Sequence, residues 1–147
     1  MSLNRREQLL SRPKIVYDTF RIVRYCKDAK ELLVATRIHV AQVGDVPDGE
    51  AIRVSKSVTG TVDDIALFHD AGEYFALDNT CSHELASLAD GWIERGVVEC
   101  PLHTGRFCLR DGRVLSAPAT ESVAAHVVEV EGDAILIVPN VERLAVS

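Results

Sequence analysis

The sequence lacks a run of about 18 apolar residues, the length that a membrane-spanning helix requires. Its N-terminal stretch also has no continuous apolar segment of the kind found in signal peptides, because Asp18 and Arg21 interrupt "IVYDTFRIV". Internal repeats and low-complexity tracts are missing as well. These absences predict a cytoplasmic protein, and a length of 147 residues predicts one main domain.

Sequence motifs of common enzyme classes are also missing. The chain contains no nucleophile elbow, no phosphate-binding loop and no dinucleotide-binding fingerprint. We therefore expect no substrate chemistry of its own and predict no catalytic residue.

An excess of positive charge is lacking too, since the formal net charge is −6. Residues 1–37 carry nine Lys/Arg against four Asp/Glu, whereas residues 38–147 carry seven against eighteen. An acidic body repels nucleic acid and anionic membrane, so we expect neither as a partner, and it favours a partner with a basic patch. Acidity can equally serve solubility alone, and the charge does not decide between these interpretations.

Short apolar segments separated by turn signals fill residues 38–140. Asp111-Gly112 between "RFCLR" and "RVLSA" is a strong hairpin signal, and similar turns separate "IHVAQV", "EAIRVS", "DIALFHD", "EYFALD", "HVVEV" and "AILIV". This pattern predicts an all-β fold, an antiparallel sandwich or barrel. Residues 1–37 are expected to be an extension with short helices ("NRREQLLSR", "DAKELLVATR") or disorder, and residues 141–147 a tail.

Cysteine is scarce, with four in the chain, and two of them stand beside histidines. Cys81-x-His83 and Cys100-x-x-His103 are separated by sixteen residues, and each pair lies in a predicted loop between strands. Because thiols stay reduced in the cytoplasm, metal binding is favoured over a disulfide. Two such loops facing one another would hold a metal centre at one end of the domain. The remaining cysteines and histidines are interpreted as core, packing or surface residues: Cys26, Cys108, His39, His69 and His126.

Two thiolates and two imidazoles suit either zinc or iron–sulfur chemistry. A structural zinc site that only recruits a partner is one interpretation, although zinc ligand pairs usually have two to four residues between them and Cys81-x-His83 has only one. Alternatively, one iron of a [2Fe–2S] cluster could collect both cysteines and the other iron both histidines. Colour would separate the two, because a zinc protein is colourless.

The second interpretation is supported by a resemblance that extends beyond the four ligands. The stretches "FALDNTCSHELASLADG", "VECPLHTGRFCLRDGRVLSAPAT" and "VVEVEGDAILIV" resemble the Rieske [2Fe–2S] ferredoxins of bacterial aromatic-ring-hydroxylating dioxygenases of the biphenyl, naphthalene and carbazole type. The resemblance covers residues 38–140. It implies a Rieske fold with a small cluster-binding subdomain at one end of an antiparallel barrel.

Carried over by residue, the resemblance implies one Rieske cluster. Its inner iron would be bound by Cys81 and Cys100, and its outer iron by His83 and His103. In the same family a proline loop, here "SAPAT" with Pro118, covers the cluster. Gly105 would let backbone N–H groups close on the bridging sulfides, because glycine tolerates strained backbone angles.

The resemblance also implies a function and partners. The chain would be a one-electron carrier that receives electrons from an NAD(P)H-dependent flavoprotein reductase and passes them to a terminal oxygenase. Leu85, Leu102 and Pro118 at the cluster tip would form the docking surface, ringed by acidic groups such as Glu84. An oxygenase large subunit would need a catalytic domain after the cluster, whereas only the tail follows here. A nitrite reductase small subunit is the other alternative, although these subunits often lack some of the four ligands.

Two departures from the respiratory Rieske proteins predict a low reduction potential. Those proteins carry a disulfide between the ligand loops, where this chain has Ala86 and Leu102. They also donate hydrogen bonds to the cluster from a serine and a tyrosine, where this chain has Gly105 and Phe107. Each lost donor leaves more electron density on the cluster and makes reduction harder.

Overall fold

The computed structural model describes residues 16–18, 21–25 and 32–146 of the chain. The chain divides into two compact units, residues 1–37 and 38–147. In the first unit the described backbone forms a three-stranded antiparallel sheet, in the order β1-β2-β3. Its strands are β1 (Val16–Asp18), β2 (Arg21–Tyr25) and β3 (Leu32–Thr36).

These strands correct one expectation from the sequence. The described end of "DAKELLVATR" is strand β3 and not helix, because all five of its residues pair with β2. Pairing between strands here overrides the helical preference of the Glu-Leu-Leu composition. The other expected helix, "NRREQLLSR", and Cys26 lie outside the described residues.

The second unit consists mainly of antiparallel strands. In chain order they are β4 (Ile38–Gln42), β5 (Ala51–Val54), β6 (Ile65–Asp70), β7 (Glu73–Asp78), β8 (Trp92–Glu94), β9 (Val97–Glu99), β10 (Arg106–Cys108), β11 (Val114–Ser116), β12 (Ala125–Glu131) and β13 (Ala134–Val138). One short helix, α1 (Lys56–Thr59), follows β5. Single 3₁₀ turns occur at Leu88–Asp90 and Val141–Arg143.

Six strands form the larger sheet, in the order β4-β13-β12-β7-β6-β5. The sheet curls into a nearly closed barrel, and this confirms the all-β antiparallel fold predicted from the alternating segments. Inward-facing apolar side chains fill it, and the largest of them are fully buried: Val46, Ile65, Leu67, Ile135 and Ile137. Among the described residues, no helix is long and apolar enough to cross a membrane.

The remaining four strands form a separate small sheet, in the order β11-β10-β9-β8. Three loops flank it: residues 79–91 before β8, residues 100–105 between β9 and β10, and residues 117–124 after β11. Below these loops lies a second apolar core that includes both Cys81 and Cys100, packed with Phe68, Leu77, Leu88, Val98, Phe107 and Leu109. The fold thus brings both predicted ligand loops to one subdomain.

Candidate metal centre

The first ligand loop, residues 79–91, is held by hydrogen bonds at its base. The backbone N–H of Cys81 donates to the carbonyl of Ala86 (2.9 Å), which closes a short turn around His83. One residue earlier, Thr80 donates its backbone N–H (2.9 Å) and its hydroxyl (2.8 Å) to the two carboxylate oxygens of Asp63. Cys81 is therefore fixed from both sides.

The second ligand loop, residues 100–105, closes on itself. Cys100 donates its backbone N–H to the carbonyl of Gly105 (2.7 Å), and Thr104 donates to the carbonyl of Cys100 (3.1 Å). Thr104 has a positive φ of 62°, a conformation in which a non-glycine residue is strained. The loop therefore turns sharply and leaves His103 at its outer end.

The thiols of the two predicted cysteine ligands are buried together. Cys81 is 5% exposed and Cys100 is 3% exposed. The pKa of Cys100 is raised because the thiol is buried, and contact with the Cys81 thiol raises it further, while the backbone N–H groups of Leu102 and His103 act in the opposite direction. Thiol protons must therefore leave when a cation binds here.

The imidazoles of the two predicted histidine ligands lie together on the outside. The ring centroids of His83 and His103 are 5.1 Å apart, and the rings are nearly perpendicular (89°). Both side chains are exposed, and a carboxylate oxygen of Glu84 lies 3.6 Å from Nδ1 of His103. One potential ligand atom from each of these three side chains falls within 4.8 Å of the other two. Sequence reasoning placed Glu84 only on the acidic rim.

The third loop, residues 117–124, contacts both ligand loops. Ser82 donates its hydroxyl to the carbonyl of Glu121 (2.6 Å), and Ala119 packs on Gly105. A Cβ at Gly105 would lie 3.1 Å from the Ala119 side chain, and Gly105 is not among the residues with positive φ. The expectation that Gly105 supplies a strained backbone angle is therefore wrong. Because Gly105 has no side chain, the third loop can approach it closely. The positive φ in this ligand loop is at Thr104.

The docking residues expected from the sequence differ in exposure. Leu85 is 94% exposed and Leu102 is 54% exposed, both next to the imidazoles, whereas Pro118 is only partly exposed. Cys108 lies on β10 and is partly buried. Its thiol contacts Asp111, whose pKa is lowered first by the backbone N–H of Arg113 and then by this thiol.

The other histidines follow the interpretation of surface and packing residues. His39 is exposed, and His69 is partly buried, where its Nδ1 lies 2.7 Å from the carbonyl of Val46 and its ring stacks on Tyr74. His126 is buried against Asp78. Sequence reasoning missed this buried carboxylate, although a charged residue in an apolar strand just before a ligand loop could have indicated it.

The arrangement of the four donors distinguishes a two-iron cluster from a single zinc ion. Two adjacent buried thiols and two adjacent exposed imidazoles form separate pairs, as a two-iron cluster with thiolates on its inner iron and imidazoles on its outer iron requires. A single tetrahedral zinc ion would instead need all four donors to converge on one point, whereas the close group of potential ligand atoms here contains both imidazoles and neither thiol. The residues present therefore fit a Rieske-type [2Fe–2S] cluster.

Comparison with known proteins agrees with this chemistry. A model of the Rieske [2Fe–2S] domain matches residues 36–141. The 3-phenylpropionate/cinnamic acid dioxygenase ferredoxin subunit of Escherichia coli (strain K12) is 44% identical over 102 residues, which are 69% of this chain and 92% of that protein.

Solved structures are similar as well. The ferredoxin of carbazole 1,9a-dioxygenase from Nocardioides aromaticivorans IC177 has a TM-score of 0.66 and 32% identity, covering 72% of this chain and 100% of its own. A complex of reduced oxygenase and oxidized ferredoxin in carbazole 1,9a-dioxygenase includes a chain with a TM-score of 0.64 and 27% identity, covering 69% of this chain and 92% of its own. Both structures are therefore similar to most of this chain in sequence and in fold.

Proposed function

The chain belongs to the Rieske [2Fe–2S] domain family, and from that membership we propose that it carries single electrons from an NAD(P)H-dependent flavoprotein reductase to a terminal aromatic-ring-hydroxylating oxygenase. It is a ferredoxin with one Rieske cluster, an electron carrier of a dioxygenase system and not a catalytic enzyme. We place this activity in the cytoplasm. The observation that supports the proposal most directly is the pair of buried thiols next to a pair of exposed imidazoles.

We assign the ligands by this pairing. Cys81 and Cys100 hold the inner iron, and His83 and His103 hold the outer iron. When bound, the cluster supplies a one-electron redox centre. The chain itself excludes water from the thiols by packing them into the apolar core and exposes the imidazoles at the surface. Electrons can then pass at the exposed end without a substrate pocket.

Reconstitution with both partners tests the proposed function. The purified protein is mixed with a ferredoxin reductase of this type and NADH, and reduction is followed by visible absorption and electron paramagnetic resonance. Addition of the oxygenase, its aromatic substrate and dioxygen should reoxidise the ferredoxin. A colourless protein that contains zinc and no acid-labile sulfide would contradict the proposal at its first step.

The reduction potential is expected near the low end of the ~ −150 to +300 mV Rieske range. Gly105 and Phe107 stand where hydroxyl donors occur in high-potential Rieske proteins, and neither carries a hydroxyl. Fewer hydrogen bonds to the cluster leave the reduced state less stabilised. Redox titration with spectroscopic detection measures this, and a midpoint above zero would contradict the argument.

The docking surface is proposed to be Leu85, Leu102 and Pro118 at the imidazole end. A Leu85→Ala variant should transfer electrons to the oxygenase about tenfold more slowly at limiting concentration, because a highly exposed leucine beside His83 would be buried on docking. Val146→Ala is the matched control, since Val146 is 99% exposed in the tail. Transfer rates by stopped flow distinguish the two variants, and equal rates would remove Leu85 from the interface. Added salt should slow electron transfer to the oxygenase in both variants, because it screens the acidic groups that steer the encounter.

A further inference from the structure

A buried carboxylate lies at the base of the first ligand loop. Asp78 is the last residue of β7, three residues before Cys81, and it is 4% exposed. One of its oxygens is 2.9 Å from Nε2 of His126, and the other accepts a hydrogen bond from Nε of Arg143 at 2.6 Å. A buried carboxylate is stable only if it is hydrogen-bonded and its charge is balanced.

His126 does not balance that charge. Its Nδ1 accepts a hydrogen bond from the backbone N–H of Asn140 (3.0 Å), so this nitrogen carries no proton. The ring is therefore the neutral tautomer, with its proton on Nε2, which donates to Asp78. Among the groups that contact Asp78 in the described part of the chain, the positive charge is that of Arg143.

Arg143 is held in place by its own backbone. Its carbonyl accepts from the N–H of Val62 (2.9 Å), and two residues later Ala145 donates to the carbonyl of Gly60 (2.8 Å). Residues 60–62, which are bound in this way, lead directly to Asp63, and Asp63 accepts the hydrogen bonds of Thr80 beside Cys81. The segment after the last strand is thus connected to the first ligand loop.

The same groups enclose one cleft beside the ligand. A cleft of ≈ 400 Å³ is lined by Asp78, Thr80, Cys81 and Arg143, together with residues of the third loop. The ion pair and the ligand cysteine therefore share one partly enclosed space, where a charge acts more strongly than it does in open solvent.

We propose that Arg143 is a positioning residue for the iron centre. By neutralising Asp78 at the base of the Cys81 loop, Arg143 sets the reduction potential of the cluster. This inference rests on the proposed ligand set. Reduction adds one negative charge to the cluster, and an unbalanced carboxylate nearby opposes that addition. Loss of the Arg143 charge lowers the potential, and loss of the Asp78 charge raises it.

The test compares the potentials of cluster-loaded variants. In Arg143→Gln the ratio of reduced to oxidised protein at a fixed applied potential should fall at least about threefold, which corresponds to about 30 mV at 59 mV per tenfold for one electron. In Asp78→Asn the ratio should rise. Arg143→Lys, which keeps the charge, should restore most of the wild-type ratio.

A matched control comes from the other end of the same strand. Arg110 pairs with Glu73, the first residue of β7, at 3.4 Å, and Glu73 lies five positions before Asp78 on the strand, about 17 Å away. Arg110→Gln therefore removes the positive partner of a β7 carboxylate that lies far from Cys81. The ratio of reduced to oxidised protein in this variant should equal that of the wild type.

The outcomes separate this inference from the proposed function. A wild-type protein without a Rieske spectrum defeats the proposed function. A normal wild-type spectrum with unchanged potentials in Arg143→Gln and Asp78→Asn overturns the inference alone, and reduced thermal stability without a potential shift does the same. If Arg143→Gln loses its cluster during purification, Asp78→Asn decides, and a lowered or unchanged potential there overturns the inference.

Discussion

A Cys100→Ser variant should lose the iron–sulfur centre, with iron and acid-labile sulfide per chain at least about tenfold below wild type. Cys100 is 3% exposed and contacts Cys81, so its thiolate has no substitute from solvent. A serine hydroxyl at the same place does not ionise at neutral pH and is a poor ligand for iron–sulfur clusters, which select soft thiolates. Metal analysis, sulfide analysis and the visible spectrum of the purified variant measure the loss.

Cys108→Ser provides the matched control for that result. Cys108 is eight residues further along the chain, on β10, and its thiol contacts Asp111 and not the ligand pair. The same atom replacement there should leave iron, sulfide and colour within the error of wild type. If Cys108→Ser lost the cluster and Cys100→Ser kept it, the ligand assignment would be wrong.

Much of the strand pattern could be predicted because it is local. Each predicted segment of residues 38–140 became a strand, and Asp111-Gly112 forms the turn between β10 and β11, with φ of 73° at Gly112. Strand β8 was not predicted, since its three residues, Trp92–Glu94, acquire strand structure by pairing with β9. The β3 strand was missed for a related reason: its partner, and not its composition, decides its conformation.

The placement of the two Cys and His pairs in loops between strands could likewise be predicted, because each pair is close in sequence. The groups that support those loops could not, since they come from distant parts of the chain. Asp63 is 17 residues from Thr80, and Asp78 is 48 residues from His126 and 65 from Arg143. Such contacts depend on the register of the barrel strands and on the path of the segment after β13, neither of which a local pattern specifies.

The reason for a glycine is also difficult to predict from sequence alone. Gly105 was expected to provide backbone strain and instead provides space against Ala119, whereas Gly112 requires both. At Gly112 a Cβ would overlap the carbonyl of Val123. That close approach is made by the third loop, which donates the Val123 N–H to the carbonyl of Gly112 (3.0 Å). A turn residue is therefore also a packing residue of the cluster subdomain.

Gly112→Ala should consequently destabilise the protein far more than Gly72→Ala. Both glycines have positive φ in hairpin turns (73° and 80°), so both substitutions carry the left-handed backbone penalty of about 1–2 kcal/mol. At Gly72 a Cβ meets nothing within 4 Å, whereas at Gly112 it adds an overlap that costs about 1–3 kcal/mol more. The urea midpoint for loss of circular dichroism should fall clearly further in Gly112→Ala.

The difference between these two variants should extend to the iron centre. Relief of the overlap at Gly112 has to move Val123, and Val123 belongs to the same loop as Ala119, which packs on Gly105 of the second ligand loop. The Gly112→Ala protein should therefore lose its visible absorption in air several-fold faster than Gly72→Ala, at a temperature where both are folded. Equal urea midpoints would mean that the third loop moves without loss of stability. Equal rates of absorbance loss would mean that the third loop does not protect the cluster.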